Sequence, residues 1–459
     1  MMEPNEHPEI DTKIAEYESR GAGQAMLGLA DIDGVLRGKY VGLDKLKSLF
    51  VKGGGFCDCV FGWDVDDQLY DGGAVTGWHT GFPDARYRLL VDSERTLPES
   101  GVPYFIGEFA AQDGGDHAVC PRTLLRRVLA RASSAGLLAK AGFEYELFVF
   151  DEDPDSVRDK GFRDLQPLTP GNFGYSVLRA SANSEIFRGL MDYCTDLRLP
   201  LEGLHCETGP GVWEAALAAA EGMEAADRAT LFKTFSKGFF TKRGAMATFM
   251  AKWSMNYPGQ SGHYHFSLLD EEGVNVFADP GSTDVPDRAR WALGGLIRYV
   301  PEFLPMLAPT INSFTRLVKG AWAPTAATWG IDNRTAAFRF IPGDEKSQHI
   351  ECRVGGADGN PYLASAATIG AAILGIEQRI EPPDGVSGNA YDVEDGLPAE
   401  WRFAPTLRDA AIRLGGSRPA RELFGDVFVD HYVETRLWES REYERHVNDW
   451  QLARYLEII

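Results

Sequence analysis

Glutamate and histidine side chains recur on one face of several short segments in which polar and apolar residues alternate. In "FEYELFVF", Glu144 and Glu146 lie two residues apart, which places both on the same side of a strand. In "SGHYHFSL", His263 and His265 share a face in the same way, and Glu351 lies opposite apolar neighbours in "HIECRV". Carboxylates that converge in a folded protein repel one another and take up protons unless cations neutralise them. The pattern therefore indicates a site for metal ions.

Two more glutamates and a pair of arginines extend this set. "HCETGPGVWEAAL" contributes Glu207 and Glu214, and "NRTAAFRF" contributes Arg334 and Arg339. Oxygen-rich ligation with one imidazole suits Mg²⁺ or Mn²⁺, whereas zinc would favour thiolates or several histidines. Divalent cations beside arginines favour a ligand with phosphate groups, and the sequence contains no Walker-type G-x-x-x-x-G-K-[ST] motif. These residues predict a metal-dependent phosphoryl-transfer or ligase site outside a P-loop fold.

Short strands must position these side chains. Each segment alone could be an amphipathic strand with one wet face, but five together favour a curved antiparallel sheet whose concave face is a polar funnel. Helical stretches such as "NPYLASAATIGAAILGIEQRI" flank them, and "QAMLGLADIDGVLRGKYVGL" predicts a hairpin around an Asp-Gly turn. The fold class is predicted to be α+β, with a boundary near residues 110–120 that separates a unit of residues 1–115 from one of residues 116–459.

The composition limits the classes of partner. The 459 residues, 44% of them hydrophobic, suffice for a large core. A formal net charge of −21 argues against nucleic acid or an anionic membrane as a partner. The six cysteines form no disulfide-framework pattern, the polar acidic N-terminus does not resemble a signal peptide, and no apolar run reaches the length of a membrane span. We therefore expect a cytoplasmic globular protein.

Seven motifs, in this order, resemble those of the glutamine synthetase family: "FEYELF", "HCETGPGVWE", "SGHYHFSL", "NSFTRLV", "NRTAAFR", "IECR" and "NPYLA". The resemblance runs nearly end to end. It implies a small N-terminal β-grasp domain, residues 1–115, and a funnel-shaped catalytic domain, residues 116–459. It also implies a homo-oligomer of stacked rings, usually a dodecamer of two hexamers. Each active site would lie between the catalytic domain of one subunit and the N-terminal domain of its neighbour.

The resemblance also assigns roles to individual residues. One metal would hold the glutamate side through Glu146, Glu207 and Glu214. A second metal would hold the ATP phosphates through Glu144, His263 and Glu351. The substrate and the transferred phosphoryl group would be held by Arg316, Arg334 and Arg353, the phosphoryl group would be stabilised by Arg339, and the nucleotide would be contacted by His265 and Ser267. For each arginine, a salt bridge within the sheet is the alternative interpretation.

Trp322 departs from the pattern of the ammonium-using members. Their loop after "NSYKRLVPG" carries a glutamate, in "YEAP", that takes a proton from the attacking nitrogen; here the loop reads "KGAWAP". An ammonium ion needs anionic or hydrogen-bonding partners on nearly every side, whereas an indole suits an alkyl or aryl amine and attracts its cationic form. Trp63 and Phe61 would add to such a wall if they close the site from a neighbouring subunit. Alternatively, Trp322 packs beneath the loop.

Other departures concern the base, the nucleotide and a modified tyrosine. Ammonium-using members carry an aspartate in "DGSS"; the corresponding region here reads "GWDVDDQLYD", in which Asp64 matches the aspartate and the serines are missing. Asp64 and Glu207 are the candidate bases.

His349 stands where the family often has an arginine that touches ATP, and Val212 where a glutamine often precedes the metal ligand. Tyr391 resembles a tyrosine that is adenylylated in some bacterial members, and we predict a surface-loop tyrosine.

Three functional hypotheses follow. The first is a γ-glutamylamide synthetase that uses ATP to form γ-glutamyl phosphate from L-glutamate, which a primary organic amine then attacks. The second is an ordinary glutamine synthetase, against which Trp322 argues. The third is a catalytically silent ring, against which the full set of metal-ligand types argues, because buried carboxylates are costly to assemble. An indole wall fits isopropylamine, a polyamine chain or an aniline equally well.

Overall fold

The computed structural model describes residues 7–279 and 284–459. Within these residues the strands form two sheets. The first contains β1 (Gln24–Ala30), β2 (Leu36–Gly42), β3 (Gly54–Cys57), β4 (Asp84–Leu89), β5 (Arg95–Thr96) and β6 (Pro103–Ala110), in the order β2-β1-β6-β4-β3 with β5 also on β6. Strands β1 and β2 pair antiparallel around the Asp-Gly turn, so the predicted hairpin is confirmed. The central pair β1–β6 is parallel.

Helices α1 (Pro8–Ser19) and α2 (Leu43–Lys52) accompany this first sheet. Helix α2 buries Leu43, Leu46 and Leu49, which recur at helical spacing and therefore share one face. Phe61, in the loop after β3, is fully buried; its ring stacks on His117 with centroids 4.8 Å apart. The prediction that Phe61 lines a neighbouring subunit's site is therefore wrong, because its side chain belongs to the core of its own chain.

The second sheet is larger and centres on the long strand β7. It comprises β7 (Leu138–Phe150), β8 (Leu201–Cys206), β9 (Val212–Leu217), β10 (Ala220–Glu221), β11 (Met246–Thr248), β12 (Gly262–Leu269), β13 (Trp329–Ile331), β14 (Phe338–Ile341) and β15 (His349–Cys352). The order is β13-β14-β15-β12-β7-β9-β8, with β10 and β11 also paired to β7. Apart from the parallel pair β13–β14, these ladders are antiparallel. The predicted α+β class, with a curved sheet flanked by helices, is confirmed.

Helices cover the apolar face of the second sheet. The remaining helices are α3 (Pro121–Ser134), α4 (Pro154–Asp159), α5 (Val177–Ala182), α6 (Ser184–Asp196), α7 (Gly222–Thr241), α8 (Asp287–Phe303), α9 (Ser313–Arg316), α10 (Pro361–Gln378), α11 (Leu407–Gly415), α12 (Arg418–Phe424), α13 (Asp426–Glu444) and α14 (Asp449–Tyr455). Helix α10 is buried on all sides and packs against α3, α7 and α8. Glycines allow its close approach to α8: a Cβ at Gly295 would lie 2.2 Å from the Ala371 carbonyl oxygen. No helix in the described residues is both long and apolar enough to cross a membrane.

The register of the second sheet aligns the polar side chains across neighbouring strands. The directly opposed pairs are His263 with Glu144, Glu214 with Glu146, His265 with Glu351, and Arg339 with Glu351. Beyond Glu146 the same face of β7 becomes apolar. Phe148 and Phe150 form a separate small cluster with Val212, and Trp253 packs against it, with its ring centroid 5.0 Å from that of Phe150. The polar face therefore ends at an apolar wall.

Candidate active site

A cavity of about 360 Å³ opens on the polar face of the second sheet. It brings together residues that lie more than two hundred positions apart in the sequence. Its lining includes Glu144, Glu146, Glu207, Glu214, His263, His265, Arg316, Trp322, Arg334, Arg339, Glu351 and Arg353. All six proposed metal ligands, all four proposed arginines, Trp322 and His265 therefore face one space.

One acidic group lies where β8 and β9 meet. The Nε2 atom of His205 is 3.2 Å from Oε2 of Glu207 and 3.3 Å from Oε1 of Glu214. The backbone N–H of Thr208 donates to Oε1 of Glu207 at 2.6 Å. Ligand atoms of the three side chains lie within 4.8 Å of one another, close enough to share a metal ion. Glu146 joins them from β7, where its Oε2 accepts a 2.5 Å hydrogen bond from the N–H of Ser261.

Two residues at this group, His205 and Tyr175, were not predicted from the sequence. His205 has a signal in the sequence, because "HCE" places it two residues before Glu207. Tyr175 has no periodic signal: it lies in a loop, has a left-handed φ of 56°, and stacks on His205 with ring centroids 4.5 Å apart. Its side chain also lines the cavity, and the residue remains 70% exposed. Tyr175 thus forms an aromatic wall beside the carboxylates of Glu207 and Glu214.

A second acidic group lies on β7, β12 and β15. The Nδ1 atom of His263 is 3.1 Å from Oε2 of Glu144 and 3.3 Å from Oε1 of Glu351. The Nε2 atom of His265 is 3.5 Å from the same Glu144 oxygen. Ligand atoms of Glu144, His265 and Glu351 lie within 4.8 Å of one another. Both histidines therefore flank this carboxylate pair, whereas only His263 was predicted to bind the metal.

The chemistry of these donors fits divalent cations. Burial opposes ionisation of Glu144, but hydrogen bonds with His263 and His265 hold the pKa of Glu144 well below its usual range. Burial and the Arg353 guanidinium lower the pKa of His263 to about 4, so this imidazole is neutral at pH 7 and can act as a ligand. Its Nε2 is buried and has no hydrogen-bond partner among the described residues. Nε2 of His265, 3.5 Å from Oε2 of Glu144, likewise has no hydrogen-bond partner among the described residues. An unpartnered imidazole nitrogen beside carboxylates is a donor set that suits Mg²⁺ or Mn²⁺.

The group formed by Glu146, Glu207, Glu214 and His205 contains more carboxylates than cations to balance them. Burial, together with the carboxylates of Glu144, Glu146 and Glu207, raises the pKa of Glu214 to about 10. Without a counter-ion, Glu214 therefore holds a proton at neutral pH. A cation bound there would replace that proton, because only ionised carboxylates are good metal ligands.

We therefore expect Mg²⁺ binding at pH 7.5 to release about one proton per chain and to tighten up to about tenfold per pH unit. The sign follows from the raised pKa of Glu214: below about pH 10, protons compete with the cation. Calorimetry in two buffers with different ionisation enthalpies measures the release. Glu214→Gln cannot ionise and should bind Mg²⁺ more weakly with less proton release. Heats that do not depend on the buffer would contradict this assignment.

Two of the arginines are held by carboxylates. Arg339 donates from Nη1 to Oε2 of Glu351 at 3.0 Å and from Nε to Oδ1 of Asp332 at 2.9 Å. Arg353 donates from Nη1 to Oε1 of Glu351 at 2.5 Å, and its Nε is buried without a partner among the described residues. Both arginines therefore do form salt bridges with carboxylates, as the alternative interpretation predicted. A guanidinium has five N–H donors, so both retain donors for a ligand.

The other two arginines differ in how they are held. Arg316 is buried and donates to the carbonyl oxygens of Val354, at 3.0 Å, and Arg353, at 3.2 Å. Burial lowers its pKa, although Glu146 opposes this. Arg334 is exposed at the cavity and has no hydrogen bond or ion pair among the described residues. Arg334 is thus a cation that a bound carboxylate or phosphate can engage without displacing a protein partner.

Trp322 lies at the tip of the loop of residues 318–325, called the Trp322 loop below. The residue is 65% exposed and lines the cavity, so the alternative that it packs beneath the loop is wrong. Its φ of 59° lies in the left-handed region, which is uncommon for a residue with a bulky side chain. The backbone therefore turns the indole outward to the cavity at a conformational cost. Trp322 and Tyr175 give this cavity two exposed aromatic walls.

A second cavity, of about 490 Å³, adjoins the first and shares Glu144 and His265 with it. Ser267 and His349 line it, together with Lys140 and Lys346. The Nδ1 atom of His265 lies 3.0 Å from Nε2 of His349. The residues that the sequence analysis assigned to the nucleotide therefore lie together, on the far side of the Glu144 carboxylate.

Three other residues lie outside the cavity. Asp64 accepts hydrogen bonds from the N–H groups of Asp66, at 2.9 Å, and Gln68, at 2.8 Å, in a loop that does not line the cavity within one chain. Val212 belongs to the apolar cluster at the end of β7. Tyr391 is only 7% exposed, so the prediction of a surface-loop tyrosine is wrong. Its hydroxyl donates a hydrogen bond to the carbonyl oxygen of Ala323.

Comparison with known proteins agrees with this geometry. The family model described as "Glutamine synthetase, catalytic domain" matches residues 118–455. Type-1 glutamine synthetase 2 of Dictyostelium discoideum is 43% identical over 436 residues, covering 94% of this chain and 83% of the relative. Glutamate–isopropylamine ligase of a Pseudomonas species is 35% identical over 456 residues, covering 97% of this chain and 98% of the relative. A solved structure described as a GmaS/ADP complex shares the fold, with a TM-score of 0.84 at 24% identity over 96% of this chain and 99% of that one. The chain therefore belongs to the glutamine synthetase family of ATP-dependent carbon–nitrogen ligases.

Proposed function

We propose that the protein joins the γ-carboxylate of L-glutamate to a primary organic amine and hydrolyses ATP to ADP and phosphate in the process. The γ-carboxylate attacks the terminal phosphorus of ATP to give γ-glutamyl phosphate and ADP. The neutral amine then attacks the acyl carbon, phosphate leaves, and the amine nitrogen loses a proton. Membership of the family supports the ligase chemistry. The choice of nucleophile rests on Trp322.

The positions of the polar residues support the roles that we propose for them. Glu146, Glu207 and Glu214 would hold one Mg²⁺ or Mn²⁺, with His205 beside them, and Glu144, His263 and Glu351 would hold another. Bound cations would neutralise the carboxylates and polarise phosphate oxygens. Arg334, which makes no hydrogen bond or ion pair among the described residues, is suited to the substrate carboxylate. Arg339 is suited to the phosphoryl group because it lies beside Glu351 and retains unused donors. Ser267 and His265 would contact the nucleotide.

The exposed indole is the observation that carries the proposal of an organic amine. Trp322 and Tyr175 both line the cavity, and both stay largely exposed. Two aromatic walls favour a nucleophile with an apolar substituent and attract its cationic form before it is deprotonated. The relative named for isopropylamine supports this choice. The relative named type-1 glutamine synthetase 2, which is 43% identical, favours the second candidate, ammonium.

The base and the assembly belong to the same proposal. Asp64 lies outside the cavity of its own chain, so it could serve as a base only at the site of a neighbouring subunit. Glu207 lines the cavity directly and is the alternative base. A ring in which the N-terminal domain, residues 1–115, meets the catalytic domain, residues 116–459, of the next chain would bring Asp64 to the cavity. We propose such a homo-oligomer, a dodecamer of two stacked hexamers.

The test is phosphate release from ATP in the presence of L-glutamate and Mg²⁺ with a panel of amines. The panel contains ammonium, methylamine, ethylamine, isopropylamine, putrescine, spermidine and aniline, and product masses identify each amide. We expect one organic amine to exceed ammonium at least about tenfold in kcat/KM, because a pocket that adds apolar contact discriminates by roughly that factor per methylene group. Reactions without glutamate and without amine are the controls. Ammonium as the best substrate would establish the ordinary glutamine synthetase reaction instead.

A further inference from the structure

The Trp322 loop is held by a second segment, residues 388–394, that does not line the cavity itself. The hydroxyl of Tyr391 donates to the carbonyl oxygen of Ala323 at 2.9 Å. The hydroxyl of Thr325 donates to Oε1 of Glu394 at 2.5 Å. These two contacts lie one and three residues after the indole. The segment therefore holds the loop immediately after Trp322.

The same segment also contacts the loop that carries Arg334. The side-chain amide of Asn333 donates to the carbonyl oxygen of Gly388 at 2.8 Å. The backbone N–H of Ala390 donates to Oγ1 of Thr335 at 2.9 Å. Arg334 lies between these two anchored residues, lines the cavity and makes no hydrogen bond or ion pair among the described residues. One short segment is thus hydrogen-bonded both to the loop that carries Trp322 and to the loop that carries Arg334.

The left-handed backbone at Trp322 explains why such support is needed. A φ of 59° at a residue with a Cβ is unfavourable, and it persists only where surrounding contacts hold it. The indole itself is mostly exposed, so it contributes little packing of its own. Tyr391 is buried and burial raises its pKa, which keeps the hydroxyl protonated as a donor. The Ala323 carbonyl therefore has a permanent partner next to the strained residue.

We propose that Tyr391 and Glu394 are positioning residues that set the amine specificity of the site by holding Trp322 against the cavity. The inference rests on the proposed function, because it requires that Trp322 contacts the amine. Neither side chain touches substrate; each acts through the Trp322 loop. A tyrosine at the position that resembles a modification site would then serve as an internal anchor.

The test removes one hydroxyl at a time. Tyr391→Phe and Thr325→Val should each lower kcat/KM for the best organic amine at least about fivefold, the equivalent of one hydrogen bond. The loss should appear mainly in the KM for the amine, with the KM values for glutamate and ATP unchanged. Tyr443→Phe, which makes the same change at an exposed tyrosine on α13, is the matched control. A general structural defect would instead alter all three KM values and the melting temperature.

Two further measurements separate the alternatives. In a Trp322→Ala background, Tyr391→Phe should have no additional effect on kcat/KM for the amine, since both changes act on one contact. An additive loss would overturn the positioning role. Hydrogen exchange of residues 318–325 should accelerate in Tyr391→Phe whichever nucleophile the enzyme uses, and unchanged exchange would likewise overturn it. A wild-type protein that accepts only ammonium would overturn the proposed function, with exchange still deciding whether Tyr391 anchors the loop.

Discussion

Replacing Trp322 with glutamate is expected to shift the kcat/KM ratio between organic amine and ammonium by about 10²-fold towards ammonium. The indole is 65% exposed at the cavity, so a carboxylate there would face the nucleophile rather than the core. A carboxylate supplies the anionic partner that ammonium requires and removes the apolar wall that an alkyl substituent contacts. Competition between the preferred amine and ammonium, with products quantified by mass, measures the ratio directly.

The matched control changes the same position without adding charge. Trp322→Phe keeps an aromatic wall and should retain the preference for the organic amine, with kcat/KM reduced less than tenfold. If Trp322→Glu and Trp322→Phe both leave the ratio unchanged, the indole does not contact the nucleophile. Amine choice would then have to be assigned to other residues of the cavity, with Tyr175 the first to test.

Replacing Arg339 with glutamine is expected to lower kcat by about 10³-fold, the effect typical of a residue that stabilises charge on a transferred phosphoryl group. Arg339 lies on β14 opposite Glu351 and donates to that carboxylate at 3.0 Å. Its remaining N–H donors are free to contact phosphate oxygens as charge develops on them. Single-turnover formation of ADP at saturating ATP isolates this step from product release.

Two controls distinguish lost catalysis from lost structure. Arg408→Gln removes a partly exposed arginine that pairs with Glu444 at 2.6 Å, outside the cavity, and should leave kcat unchanged. Arg339→Lys keeps the charge but not the planar fork, and should recover only part of the rate. A small change in kcat together with a large rise in the KM for ATP would contradict the assignment, because it would place Arg339 in nucleotide binding alone.

Much of the site could be predicted because strands expose alternate residues. The period of two placed Glu144 with Glu146 and His263 with His265 on one face, and the register of β7, β9, β12 and β15 then brings those faces together. The resemblance to a known family supplied the roles expected of the individual residues. Both kinds of inference depend only on short stretches of sequence. In a strand, the spacing of two residues in such a stretch decides whether their side chains lie on the same face.

Residues in loops and at packing contacts could not be predicted in this way. Tyr175 reaches the cavity because its backbone is left-handed, and no alternation of polar and apolar residues predicts that conformation. Phe61 and Tyr391 have the composition of surface segments around them, yet tertiary contacts bury both. Asp64 belongs to a loop whose proposed partner is another chain. Side chains of this kind are positioned by distant parts of the fold rather than by their neighbours in sequence.

The change from polar to apolar along β7 bears on how the chain reaches a single folded form. A one-residue slip of this strand would turn Glu144 and Glu146 into the helix-covered core and put Phe143 and Tyr145 into the cavity. Buried carboxylates without partners are far more costly than a misplaced apolar group. The cluster of Phe148 and its neighbours would lose its packing in the same slip. The glutamates that line the cavity therefore also favour one strand register over its neighbours during folding.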